Sequence, residues 1–135
     1  MRITADTNLL VRIVVRDDEA QAQMALKVLK GAETVAIPLP CLCELVWVLE
    51  SVYRLSRSEI AMAVRMILDR ANVIADAAAA IAGLRILDTG GDFADGAIAA
   101  AGSSMGGETF VSFDRKAIAR LGATGMPALH PSEFS

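Results

Sequence analysis

Short β-forming runs alternate with longer helical stretches along this chain, and that alternation restricts its fold more tightly than any other feature. Arg2–Asp6, Thr34–Ile37, Asn72–Ala75, Glu108–Phe113 and Ala128–Leu129 read as strands, being brief and apolar or β-branched. Between them, apolar residues recur at helical spacing over Asn8–Val15, from Asp17-Asp18 to Lys30, and over Cys41–Tyr53. Further helices are expected from Ser56 to about Arg70 and over Ala77–Leu87, Phe93–Ser104 and Arg115–Leu121. The boundaries carry their own signals. Pro38 and Pro40 close the second strand, and Ser56-Arg57-Ser58-Glu59 has the capping-box pattern. Asp92 or its neighbour caps the Phe93 helix, while Gly31, Gly90-Gly91 and Gly122 are expected stops. Strands separated by helices cannot pair as hairpins, so the chain is expected to form a parallel sheet with helices on both faces.

A length of 135 residues suits one domain spanning residues 1–135, because two domains of half that size would each bury too little surface. The apolar content of 54% is high for a soluble domain, so some apolar surface is expected to meet a partner. A membrane span is not expected: uncharged stretches such as Gly96–Gly107 reach only about a dozen residues, against the ~20 that a spanning helix needs. The opening Met1-Arg2-Ile3-Thr4-Ala5-Asp6 has no long apolar core, and a cytoplasmic location is the expectation. Cys41 and Cys43 stand too close to close a useful loop and are read as reduced, half-buried thiols. A net charge of −3 disfavours a broad basic surface for duplex DNA, yet permits an enzyme that holds nucleic acid through metal ions.

The position of a few acids is more telling than their number. Asp6 ends the first strand, Glu44 lies in the first turn of the helix after the second, Asp92 and Asp95 open another helix, and Asp114 follows the apolar run Thr109–Phe113. In a parallel α/β sheet the carboxyl ends of the strands share one edge, where ligands bind. All five acids map there. The ordinary alternative is helix capping, which suits Asp6, Asp92 and Asp114 taken singly. Glu44 suits it less well, because it interrupts the apolar stretch Cys41–Trp47 and a buried carboxylate costs several kcal/mol unless paired or metal-bound. Clustered carboxylates repel one another, and a divalent cation with oxygen preference resolves the repulsion while activating water against a phosphodiester. The single histidine, His130, leaves no basis for a histidine nuclease or a zinc site and is read as incidental.

Four segments resemble those of PIN-domain nucleases, specifically the VapC-type toxins of bacterial toxin–antitoxin pairs. They are Asp6-Thr7-Asn8; Cys43-Glu44-Leu45 with Trp47-Val48-Leu49; Asp92 through Ala101; and Phe113-Asp114-Arg115-Lys116-Ala117. In order and spacing they cover the chain from residue 3 to about 122. The resemblance implies a three-layer α/β/α fold with a central, mainly parallel sheet, and Mg²⁺- or Mn²⁺-dependent endoribonuclease activity. It also implies a homodimer restrained by a small antitoxin encoded alongside. Carried over by position, the catalytic and metal-binding acids would be Asp6, Glu44, Asp95 and Asp114, with Asp92 as a secondary metal acid. Asn8 and Ser112 fall where polar groups orient such acids. Gly96 stands where a larger residue such as Ala is usual, a packing difference. Two other readings compete. An aspartyl-phosphate enzyme built on Asp6 would want a second acid where Asn8 stands. A non-catalytic scaffold that binds RNA or protein would normally have lost part of the acidic set.

Overall fold

The computed structural model describes residues 1–135 and divides into two compact units, Met1–Asp76 and Ala77–Ser135. The expected α/β class with parallel pairing is what the structure has.

In the first unit, β1 (Arg2–Thr4), β2 (Thr34–Ile37) and β3 (Val73–Ala75) pair in parallel with β2 in the middle. Helices α1 (Thr7–Val14) and α2 (Glu19–Gly31) connect the first two strands; α3 (Leu39–Ser51) and α4 (Arg57–Leu68) connect the second to the third. Val35 and Ile37 of the central strand are buried, as are Leu42, Leu45, Val46 and Leu49 of α3. Val52 continues their apolar helical spacing in the sequence but is 58% exposed, as the C-cap at the end of the helix. Helix α3 also begins earlier than the prolines suggested. Pro38 is its N-cap and Pro40 sits in its first turn, where a missing N–H and a fixed φ cost nothing.

The capping box of α4 forms as read: Ser56 Oγ accepts from the Glu59 N–H at 3.2 Å, and the Glu59 carboxylate accepts from the Ser56 N–H at 3.0 Å. Ser56→Ala should therefore lower unfolding free energy by about 1 kcal/mol in urea denaturation, with most of the loss restored by Ser56→Asp.

The second unit contains α5 (Ala77–Asp88), α6 (Phe93–Ser104), β4 (Phe110–Val111), α7 (Arg115–Ala123), β5 (Ala128–Leu129) and a 3₁₀ turn at Pro131–Glu133. The two strands pair in parallel, Phe110 opposite Ala128 and Val111 opposite Leu129. Ile86, Ala99 and Leu121 form a buried cluster that Phe110, Met126 and Ala128 extend. Helices α5 and α6 approach closely because glycines face the contact. A Cβ on Gly96 would lie 2.5 Å from the carbonyl oxygen of Ala82, and one on Gly83 would lie 2.6 Å from the Phe93 ring. The absence of a side chain at position 96, first read as a packing difference, is thus required by the neighbouring backbone. Gly122 does not stop α7. The helix runs on to Ala123 and ends before Gly125, whose φ of +88° is the left-handed turn that glycine accommodates. No helix is long and apolar enough to cross a membrane.

Candidate active site

The sequence-derived acids fall into two sets, one in each unit. In the first, Asp6 follows β1 and caps α1, its Oδ1 accepting from the Leu9 N–H at 3.0 Å. The next residue, Thr7, donates its hydroxyl to the Cys41 sulfur at 3.6 Å, tying the start of α1 to the start of α3. Burial pushes the Cys41 thiol pKa up; the Thr7 hydrogen bond opposes that rise, and the nearby charges of Asp6 and Glu44 add to it. Two acids 38 residues apart in the chain therefore act on one buried sulfur. Parallel pairing explains why: β1 and β2 end on the same edge, and Asp6 and α3 both leave from it.

Glu44 corrects two expectations. With α3 starting at Leu39, it lies in the second turn and not the first. It is also exposed, whereas Leu42, Leu45 and Val46 around it are buried. Helical periodicity is the reason: Glu44 shares a face with Trp47, itself 62% exposed, and that face turns away from the core. The inference that a buried carboxylate must be metal-bound thus fails for Glu44. What remains is an accessible carboxylate with no hydrogen bond or ion pair, beside the thiol that Asp6 also influences.

In the second unit, Asp92 is the N-cap of α6 and accepts from the Ala94 N–H at 3.1 Å. Asp114 caps α7 with its Oδ1, accepting from Lys116 N–H at 3.0 Å and Ala117 N–H at 3.1 Å. The Ser112 Oγ accepts from the Asp114 N–H at 3.0 Å and so holds the backbone that carries the acid. Asp95 is the half-buried member. Desolvation raises its carboxyl pKa above the usual range, Asp92 and Asp114 raise it further, and Arg120 works in the other direction. The structure thus brings Asp92, Asp95 and Asp114 into one electrostatic neighbourhood.

Capping and ligand binding are compatible in these acids. Asp6, Asp92 and Asp114 each spend Oδ1 on a helix N-terminus and leave Oδ2 without a hydrogen bond. Asp95 and Glu44 spend neither oxygen. The donors are all carboxylate oxygens, the chemistry that hard divalent cations such as Mg²⁺ and Mn²⁺ select. Within neither unit do three such side chains converge closely enough to hold a metal by themselves.

Other residues have settled roles. Cys43 is half-buried, as read from the sequence, whereas Cys41 is buried, and neither is in a disulfide. His130 caps the 3₁₀ turn, its Nδ1 accepting from the Ser132 N–H at 3.1 Å, and its ring meets Phe113 edge-on at 5.4 Å. Asn8 makes no hydrogen bond to an acid; it lies in a groove beside Asp6. Sequence reasoning missed Arg120, the one cation that tempers Asp95, because nothing local distinguishes it from a surface arginine. Gly91 makes room for it, since a Cβ there would lie 2.6 Å from Arg120 Cδ.

The sequence matches the PIN domain family over residues 3–123. No curated protein matches it.

Proposed function

The chain belongs to the PIN-domain family, a family of nucleases in general, and on that basis we propose that it is a metal-dependent endoribonuclease acting as the toxin of a toxin–antitoxin pair. The observation that carries this reading is the unspent carboxylate oxygen. Three aspartates fixed in orientation by helix caps each keep one oxygen free, and Asp95 and Glu44 keep both. Asp6, Glu44, Asp95 and Asp114 are the proposed metal acids of a single domain over residues 1–135, with Asp92 in support and Ser112 positioning Asp114. Mg²⁺ or Mn²⁺ bound by them would lower the pKa of a water and offset charge on the phosphodiester. The protein's own part is to hold the carboxylates in place through the caps, and to keep Asp95 partly desolvated so that its charge favours a cation over water.

The proposal includes a cytoplasmic homodimer and a small antitoxin. Support for association comes from apolar side chains left in solvent: Trp47, Met62 and Met66 are each more than 60% exposed. Sedimentation at micromolar concentration should show a dimer, and a stable monomer would remove that part of the reading. The nuclease reading is tested by incubating the purified chain with single-stranded RNA and Mg²⁺ or Mn²⁺. Cleavage abolished by EDTA and restored by added metal is expected. Full persistence of cleavage in EDTA would refute metal dependence, and intact RNA under every metal condition would favour the non-catalytic scaffold.

A further inference from the structure

Capping and metal binding account for the acids of the second unit but not for the cation placed among them. Arg120, in the last turn of α7, is half-buried, yet it donates no hydrogen bond and forms no ion pair within the protein. Its side chain runs across the turn between α5 and α6. A Cβ on Gly91 would lie 2.6 Å from its Cδ and 3.3 Å from its Nε, so the missing side chain at position 91 keeps a berth open for it. The guanidinium comes to rest by Gly90, with a terminal nitrogen 4.0 Å from where a Cβ would stand. That turn leads directly into Asp92, the N-cap of α6, with Asp95 in the first turn of the helix. Burial, Asp92 and Asp114 raise the Asp95 carboxyl pKa, and the charge of Arg120 opposes them, but no carboxylate closes on the guanidinium.

We propose that Arg120 is a positioning residue that binds a backbone phosphate of the RNA strand beside Asp92, Asp95 and Asp114. The proposal rests on the metal-dependent nuclease reading of those acids. Charge selects the ligand. A cation this close to metal acids repels the divalent ion they are to hold, so on its own it works against the site. A ligand that carries negative charge in with the metal offsets that repulsion, and a phosphodiester is such a ligand. A salt bridge to one of the acids would offset it too, but would occupy carboxylate oxygens that a metal needs, and no such bridge forms. The residue type agrees with the role. A guanidinium is always charged, and its planar fork of donors matches two oxygens of one phosphate. The donors of Arg120 are unspent within the protein, and the glycine turn gives the stem a defined course toward the acids.

The first test reads binding apart from cleavage. A fluorescent single-stranded oligodeoxyribonucleotide, which carries the same phosphates, is titrated with the full chain at fixed Mg²⁺ and several salt concentrations. Arg120→Gln is expected to weaken binding roughly tenfold, the loss of one charge-assisted contact. It should also reduce the slope of log affinity against log salt by about 0.7, the share of one single-strand phosphate. Arg120→Lys should keep the slope, because the charge remains. Arg2→Gln, at the other end of β1 from Asp6, should change neither quantity. Where Arg120→Gln does not fold, Arg120→Met takes its place, since its unbranched stem still covers the Gly91 turn. The second test is steady-state cleavage of single-stranded RNA in saturating Mg²⁺. KM should rise in Arg120→Gln by about the same factor while kcat changes little, as expected for a lost binding contact. A reduced slope in a chain that cleaves no RNA would uphold the phosphate contact and sink the nuclease reading. Cleavage with slope and KM both unchanged in Arg120→Gln would do the reverse. A shifted Mg²⁺ requirement or melting temperature with an unchanged slope would overturn the proposal and leave Arg120 a charge-balancing residue. Failure of wild type to bind the oligonucleotide would overturn it as well.

Discussion

Asp6→Asn is expected to fold as wild type does and to lose more than about a hundredfold of its metal-dependent RNA cleavage. Even residues that merely orient metal ligands are worth roughly 10–100-fold, so a ligand should exceed that. The substitution discriminates because the structure gives Asp6 a second occupation. Its Oδ1 accepts from the Leu9 N–H, and an asparagine oxygen can do the same, since Asn and Asp cap helices about equally well. If capping were all that Asp6 did, activity would be untouched. What Asn removes is the negative charge and the anionic character of the free oxygen. Cleavage rate and thermal unfolding of the apo protein, measured on one preparation, separate the two. Wild-type cleavage with an unchanged melting temperature would end the metal-ligand assignment for Asp6. Glu44→Gln makes a parallel case, with an even smaller expected effect on stability, because Glu44 is exposed and bonded to nothing.

Gly96→Ala should destabilise the protein by about 1–3 kcal/mol, the ordinary range for overpacking a filled contact. The sign is the informative part. In most helix interiors Gly→Ala stabilises by up to about 1 kcal/mol, because alanine is the better helix former. At Gly96 the added methyl would meet the Ala82 carbonyl oxygen at 2.5 Å and the Ile86 side chain at 2.8 Å, and a backbone oxygen cannot step aside as a side chain can. Gly102, one and a half turns further along α6, is the internal control. A Cβ there meets nothing within 4 Å, so Gly102→Ala should stabilise by about 0.5–1 kcal/mol. Melting temperatures of the two variants should move in opposite directions. Movement of both upward would mean that α5 and α6 are further apart than the structure has them. Because Asp95 adjoins Gly96 in the first turn of α6, Gly96→Ala should also reduce cleavage, through displacement of the acid.

Local order was legible in the sequence wherever the signal was itself local. The capping box at Ser56 and Glu59, the Asp92 cap on a helix over Phe93–Ser104, and the strand at Ala128–Leu129 all stand where they were read, because each depends on residues within a few positions of one another. Alternation of strand and helix was enough for parallel pairing, since helical connections leave no other economical topology. Strand ends were legible only loosely: Glu108–Phe113 shrinks to Phe110–Val111, because pairing with Ala128 and Leu129 sets its length rather than β propensity.

The sequence by itself determined the acids, the order in which they occur and the elements that present them. Tertiary structure alone decided how each acid is solvated and what surrounds it. Glu44 looked buried in a run of apolar letters, yet helical rotation carries it to the exposed face while its immediate neighbours pack inward. Asp95 looked like any first-turn acid, yet it is the one that burial, two aspartates and Arg120 act on together. Gly96 looked like a small departure from a pattern, yet the Ala82 carbonyl leaves it no alternative. For Asp95 and Gly96 the deciding contact lies with a residue on another helix, and for Glu44 it is the side of its own helix that the core takes up. Linear periodicity fixes the face of a helix, but only packing determines what that face meets.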